Sequence, residues 1–168
     1  MRLPRLAVLF ASTTLLVSPS FADSTSLPLV ARLLGGLTDG GTMIQGSLGK
    51  GSVKATGDGA FDVTFDKALI RFLYDEPDTC IFTQHLQMGD QVADARMDFT
   101  KVTGVEVRDQ GDVDGLHGAL VTFQGPPETL QVVMGDKLVP QQPAFAFLAS
   151  TLTVDDLNAA ATELQPIC

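Results

Sequence analysis

The sequence predicts an α+β fold: a single domain built mainly from one curved antiparallel β-sheet, with a C-terminal α-helix packed on one face and a short N-terminal helix. Three features carry this expectation. In the middle of the chain apolar residues alternate with polar ones at period two, the pattern of half-buried strands. Short turns rich in Gly, Pro and Asp separate the apolar runs, and such turns join antiparallel neighbours. Toward both ends the apolar residues recur three and four positions apart, the period of a helix.

The chain opens with two arginines, Arg2 and Arg5, followed by an apolar run from Leu6 to Val17 broken only at Ser12, Thr13 and Thr14. Ser20-Phe21-Ala22 then places small residues at the two positions a signal peptidase reads. Residues 1–22 are therefore expected to be a cleavable signal peptide, and 23–168 a single soluble globular domain, exported to the periplasm or the extracellular space. The apolar run is shorter than the roughly 20 residues a spanning helix needs. No later stretch is longer, so the mature chain is expected not to insert into a membrane.

Leu27, Val30, Ala31 and Leu34 share one helical face, and Gly35-Gly36 would stop that helix. Between Gly35 and Gly59 stand nine glycines. This segment is expected to be turn-rich or mobile, with one strand near Ser52–Thr56. Phe61, Val63 and Phe65 alternate with Asp62, Thr64 and Asp66, a strand with one buried face. Ala68–Tyr74 is more continuously apolar and reads as a strand covered on both faces. Asp75-Glu76-Pro77-Asp78 reads as a turn, Cys80–Met88 as the returning strand and Gly89-Asp90 as the next turn.

Asp98–Arg108 carries Phe99, Val102, Val105 and Val107, with Gly104 as a bend or bulge. Asp112–Gly115 turns into a strand at Leu116–Phe123, which Gly125-Pro126-Pro127 ends. Thr129–Met134 follows as another strand, and Ala144–Leu152 fits either strand or helix. Val154, Leu157, Ala161 and Leu164 then fall on one helical face. Thr153 and Asp156 form a capping-box start, and Pro166 ends the helix.

Without Arg2 and Arg5, 9 of the 11 basic residues remain against 20 acidic ones, so the formal charge moves from −9 to −11. Such a chain repels phosphate backbones and anionic membranes, which excludes nucleic acid as an expected partner. The two cysteines, Cys80 and Cys168, are expected to form a disulfide in an oxidising compartment. The bond would tie the chain's last residue to an interior strand, with Phe82, Leu86 and Met88 on the core side beside Cys80.

Several catalytic motifs fail on inspection. Gly49-Lys50 lacks the upstream glycine of a phosphate-binding loop, since Ile44 stands there, and Gly51 replaces the required Ser or Thr. Gln45 stands where a nucleophile elbow around Ser47 needs its first glycine. His85 and His117 cannot form a helical zinc motif, although a site assembled in space stays open. Both read as partly buried, hydrogen-bonded strand residues, and as the two candidate functional side chains. Asp112 and Asp114 match two positions of a calcium loop, but Gln110 and Val121 replace its first and last ligands. The acidic Asp75, Glu76 and Asp78 read as a solvated turn. No cofactor is implied. With no Trp and one Tyr, sugar-stacking platforms are poorly supplied. The leading expectation is a non-catalytic domain that binds a protein partner or a small apolar ligand. The alternative is a secreted hydrolase using dispersed carboxylates and a histidine.

Overall fold

The computed structural model describes residues 25–57, 59–134 and 136–168; the expected signal peptide, 1–22, lies outside them. Helix α1 (Ser26–Gly35) precedes eleven strands: β1 (Thr42–Ile44), β2 (Lys50–Gly57), β3 (Ala60–Thr64), β4 (Leu69–Asp78), β5 (Ile81–Met88), β6 (Gln91–Asp98), β7 (Gly104–Val113), β8 (Leu116–Gln124), β9 (Leu130–Met134), β10 (Lys137–Pro140) and β11 (Phe145–Ser150). Helix α2 (Val154–Leu164) ends the chain. All strand pairings are antiparallel, in the order β10-β9-β6-β5-β4-β3-β2-β1-β11-β8-β7. Consecutive hairpins from β1 to β6 make a meander. The chain then builds the β7–β8 hairpin at one edge, crosses to β9–β10 at the other, and returns as β11 between β1 and β8.

The sheet curls without closing into a barrel. α1 lies in the trough. Leu27, Leu29, Val30, Ala31 and Leu33 are all buried, so this helix is apolar around most of its girth, as an enclosed helix must be. Gly36 ends it in the left-handed region at φ 64°. The Gly36 N–H donates to the Arg32 carbonyl and the Leu37 N–H to the Ala31 carbonyl, which satisfies the last turn. Contact with the sheet is close: a Cβ on Gly35 would stand 2.5 Å from the Tyr74 hydroxyl. Burial pushes the Tyr74 phenol well above its ordinary range. Its oxygen accepts a 2.7 Å hydrogen bond from Gln84 Nε2.

Edge-to-face contacts link Phe82 to Phe99 at 5.5 Å and Phe99 to Phe123 at 5.8 Å between centroids. Phe82 is on β5, Phe123 is on β8, and Phe99 belongs to the 3₁₀ turn Phe99–Lys101 between β6 and β7. The trio therefore ties distant parts of the sheet into one core. Asp98 is buried beside it because its carboxylate caps this turn, accepting from the Thr100 N–H and Thr100 hydroxyl.

Several local expectations are corrected. The glycine-rich segment holds β1 and β2 rather than one strand, because β2 is zipped to β3 from Ser52 to Gly57. β4 buries only Ile70, Phe72 and Tyr74, while Leu69 and Leu73 are 49% and 41% exposed. Among the described residues no layer covers its outer face. Asp75–Asp78 continues β4 through a register shift that accommodates Pro77; the turn falls at Thr79-Cys80 instead. Cys80 therefore sits in that turn, at φ 60°, not in a strand. Phe82 is buried as expected, but Leu86 is only partly so and Met88 is 41% exposed, since β5 runs out past the core at its far end. Gly104 begins β7 after the 3₁₀ turn rather than bending one long strand. β6 and β10, where no element is predicted, complete the sheet.

The Cys80–Cys168 disulfide forms, with Cα atoms 5.5 Å apart across 88 positions of sequence. It pins the end of α2 to the β4–β5 turn. In the chain-entropy account a loop of this length gives about 4.6 kcal/mol, an upper-end figure, while disulfides typically contribute roughly 2–4 kcal/mol. Reduction with dithiothreitol should lower the unfolding free energy by about that amount. Urea melts with and without reductant read it, and coincident midpoints would show that the bond adds nothing.

Candidate ligand groove

α2 packs against α1 and β7. Its N-terminal end is set by the capping box. Asp156 N–H donates to Thr153 Oγ1 at 3.2 Å, and Asp156 Oδ2 accepts from the Thr153 N–H at 2.8 Å and its hydroxyl at 2.7 Å. These backbone and hydroxyl hydrogen bonds hold the Asp156 carboxyl below its usual range, with smaller help from the charges of Arg32 and His117. The disulfide fixes the other end. Leu157, Ala160 and Leu164 face the core. Asn158, Thr162 and Gln165 lie on another face, spaced four and three apart, and are exposed.

That uncharged face looks onto a half-open groove of about 470 Å³. Phe99 and Leu164 are its apolar floor. Val102, Thr103, Gly104 and Val105 form one wall, and Asn158, Ala161, Thr162 and Gln165 the other, with Cys168 at one end. Among the described residues that line it, none has an ionisable side chain. The volume lies in the range of small-molecule sites. Donors and acceptors on the walls and an apolar floor suit a neutral guest with polar edges. A smaller cavity of about 160 Å³ opens between α1, β1 and β11.

The flagged histidines go elsewhere. His85 projects from the outer face of β5, opposite Leu73 on β4 and Asp94 on β6. Its Nδ1 is 2.8 Å from Asp94 Oδ1, and its Nε2 is 3.6 Å from Asp75 Oδ1. The imidazole is partly buried and hydrogen-bonded, as expected, but the two carboxylates occupy both ring nitrogens' directions. No sequence signal singled out Asp94, because the cross-strand register that brings it to His85 is set by the β5–β6 hairpin. His117 is exposed, contrary to expectation, because it begins β8 just outside the core. β4, β3, β2, β1 and β11 separate the two histidine strands in the sheet, and the structure does not join the two in one site.

Asp112 and Asp114 stand at the tip of the β7–β8 hairpin. Asp112 Oδ1 accepts the Gly115 N–H at 2.9 Å, and Asp109 Oδ1 accepts the Gly111 N–H at 2.7 Å, so these carboxylates close the β7–β8 hairpin. Among the described residues no group of three or more His, Cys, Asp or Glu side chains is placed to hold a metal ion. Glu76 is structural as well: it accepts from the Ser26 hydroxyl and the Cys80 N–H, both at 2.9 Å.

Sequence reasoning missed the groove. Its one legible trace is the neutral stripe Asn158, Thr162 and Gln165 on a helix whose other polar positions include Asp155, Asp156 and Glu163. Comparison with family models, with curated proteins and with solved structures finds no match.

Because α2 positions one groove wall, its cap carries a pH signature. The lowered value of Asp156 means its stabilisation is fully present above the ordinary Asp range near pH 4 and is lost as pH falls through the folded value. Asp156→Asn should cost about 0.5–1 kcal/mol at neutral pH. Melting curves of the two proteins should converge in acid; a gap that persists at low pH would assign the cap's effect to something other than this ionisation.

Proposed function

We propose that this protein is an exported, non-catalytic binding domain, and that an uncharged, partly apolar guest occupies the groove between α2 and β7. The observation that carries the reading is the groove itself: an apolar floor, hydrogen-bonding walls and no charged side chain, in a chain of formal charge −9. A charged substrate or transition state would find no charged side chain there, whereas acid–base and nucleophilic catalysis need ionisable or activated groups within hydrogen-bond reach. The disulfide supports an oxidising compartment, and no helix among the described residues is long and apolar enough to cross a membrane. The acidic balance disfavours nucleic acid as a partner.

One observation favours the second reading, a secreted hydrolase using carboxylates and a histidine. The 2.8 Å contact between His85 Nδ1 and Asp94 orients the imidazole as a general base is oriented. What stands toward Nε2, however, is the Asp75 carboxylate at 3.6 Å rather than a hydroxyl or thiol.

Nile red, a neutral environment-sensitive dye, separates the readings. It should bind the wild-type protein saturably. Thr162→Trp, which fills the groove from an exposed position, should weaken binding at least about tenfold while leaving the melting temperature nearly unchanged. His85→Gln should bind like wild type. Equal binding by wild type and Thr162→Trp would contradict the groove as the site.

A further inference from the structure

The groove lies along an open edge of the sheet. Among the described residues β7 is the terminal strand, with β8 as its one strand neighbour. In an antiparallel ladder every second residue turns its N–H and C=O outward, so the free side of β7 offers a row of backbone donors and acceptors. Gly104, the first residue of β7, stands at the groove, with the Gln124 side chain of β8 against it. Val105 follows on the strand wall, and Asn158 and Thr162 face it from α2. A strand edge on one side and a helix on the other is the setting in which an extended peptide adds as a further strand. Main-chain hydrogen bonds then give affinity, and alternate side chains enter the groove.

The edge also has a charge gradient. Away from the groove, β7 is exposed from Arg108 to Asp112 and leads into the tip of its hairpin. Arg108 is already held by Glu106, at 2.7 and 3.2 Å. Beyond it come Asp109, Asp112 and Asp114 with no further Lys or Arg before β8. Lys50 approaches Gly115 and offsets one of these charges. The result is a neutral slot at the start of the strand and an acidic rim at its end. Val105 to Asp112 spans eight residues of strand, seven steps or about 23 Å at 3.3 Å per residue.

Resting on the reading of the groove as the binding site, we propose that the guest is an extended peptide segment that pairs antiparallel to β7. Its small uncharged side chains fill the groove, and Lys or Arg residues about seven positions N-terminal to them lie over the acidic hairpin rim. The polarity follows from the direction of β7, which runs from groove to rim, so an antiparallel guest meets the rim with its N-terminal part. Hydrogen bonding to the edge is indifferent to sequence; the slot and the rim supply the selection.

The probe is the acetylated and amidated peptide Lys-Thr-Lys-Thr-Ser-Thr-Ser-Val-Thr-Val, titrated calorimetrically against the purified protein, with Nile red titrated in parallel. The expected result is saturable peptide binding that displaces the dye. Replacing both lysines by glutamate should weaken it about tenfold, with a smaller difference in high salt. N-methylating the alternate amides that face β7 should also weaken it about tenfold. Hydrogen exchange should slow at alternate amides of β7. If Nile red binds but the peptide does not, or if the N-methylated peptide binds equally well, strand addition is overturned and the groove reading stands. If neither dye nor peptide binds, both fall.

Discussion

The enclosure of α1 is the constraint on which the rest of this structure depends. A helix with buried leucines on several sides keeps only a narrow solvent stripe, at Pro28 and Arg32, so the sheet must bend around it. Each fully buried Leu or Val contributes about 1.5–3 kcal/mol, which makes the trough the main apolar reservoir of the fold. Its intimacy is visible at the two glycines that end the helix. Gly35 makes room for the Tyr74 hydroxyl, and Gly36 brings the backbone against Ser150. A side chain at either place would push the helix out of the trough.

α2 completes that enclosure, and the manner in which it does so creates the groove. The helix is fixed at its start by the Thr153–Asp156 box and at its end by the disulfide. Between these anchors it turns three apolar residues to the core and a neutral polar face toward β7. Because the sheet stops at β7 rather than closing, the helix and the strand edge leave a slot that neither fills. The charged groups of the molecule are engaged elsewhere: Asp62 with Arg71, Glu106 with Arg108, and Asp94 with His85. The Asp62–Arg71 pair shows the same economy. Its hydrogen bond lowers the Asp62 carboxyl, but the Arg is half exposed, and such a surface pair contributes little to stability.

Where the sequence states a local rule strongly, the structure obeys it. α1, α2 and β3 are legible because their apolar period is undiluted and their ends carry glycine, a capping box or proline. The disulfide is legible by arithmetic, since two cysteines allow one pairing. β6 was obscure because its inward positions include Ala93 and Ala95, weak strand formers, and β10 because it is four residues long and ends in Pro140. Asp75–Asp78 misleads for a different reason: its residues are those of a turn, but pairing with β5 on either side of the shift holds them in the ladder. The glycine-rich segment misleads likewise, since its neighbour β3 supplies the order its own residues lack. The groove was invisible because two segments far apart in sequence, 99–105 and 158–168, make it. By contrast, the residues that looked chemical, His85, His117, Asp112 and Asp114, drew attention by type, and a cross-strand partner and a turn bond account for His85 and Asp112.

Amide chemical-shift mapping of the isotope-labelled protein during a Nile red titration tests the central claim most directly. The account predicts that the perturbed amides cluster at residues 102–105 and along α2 from Asn158 to Gln165. A cluster centred instead on His85, Asp94 and Asp75 would contradict it and return the outer face of the sheet to the centre of the argument.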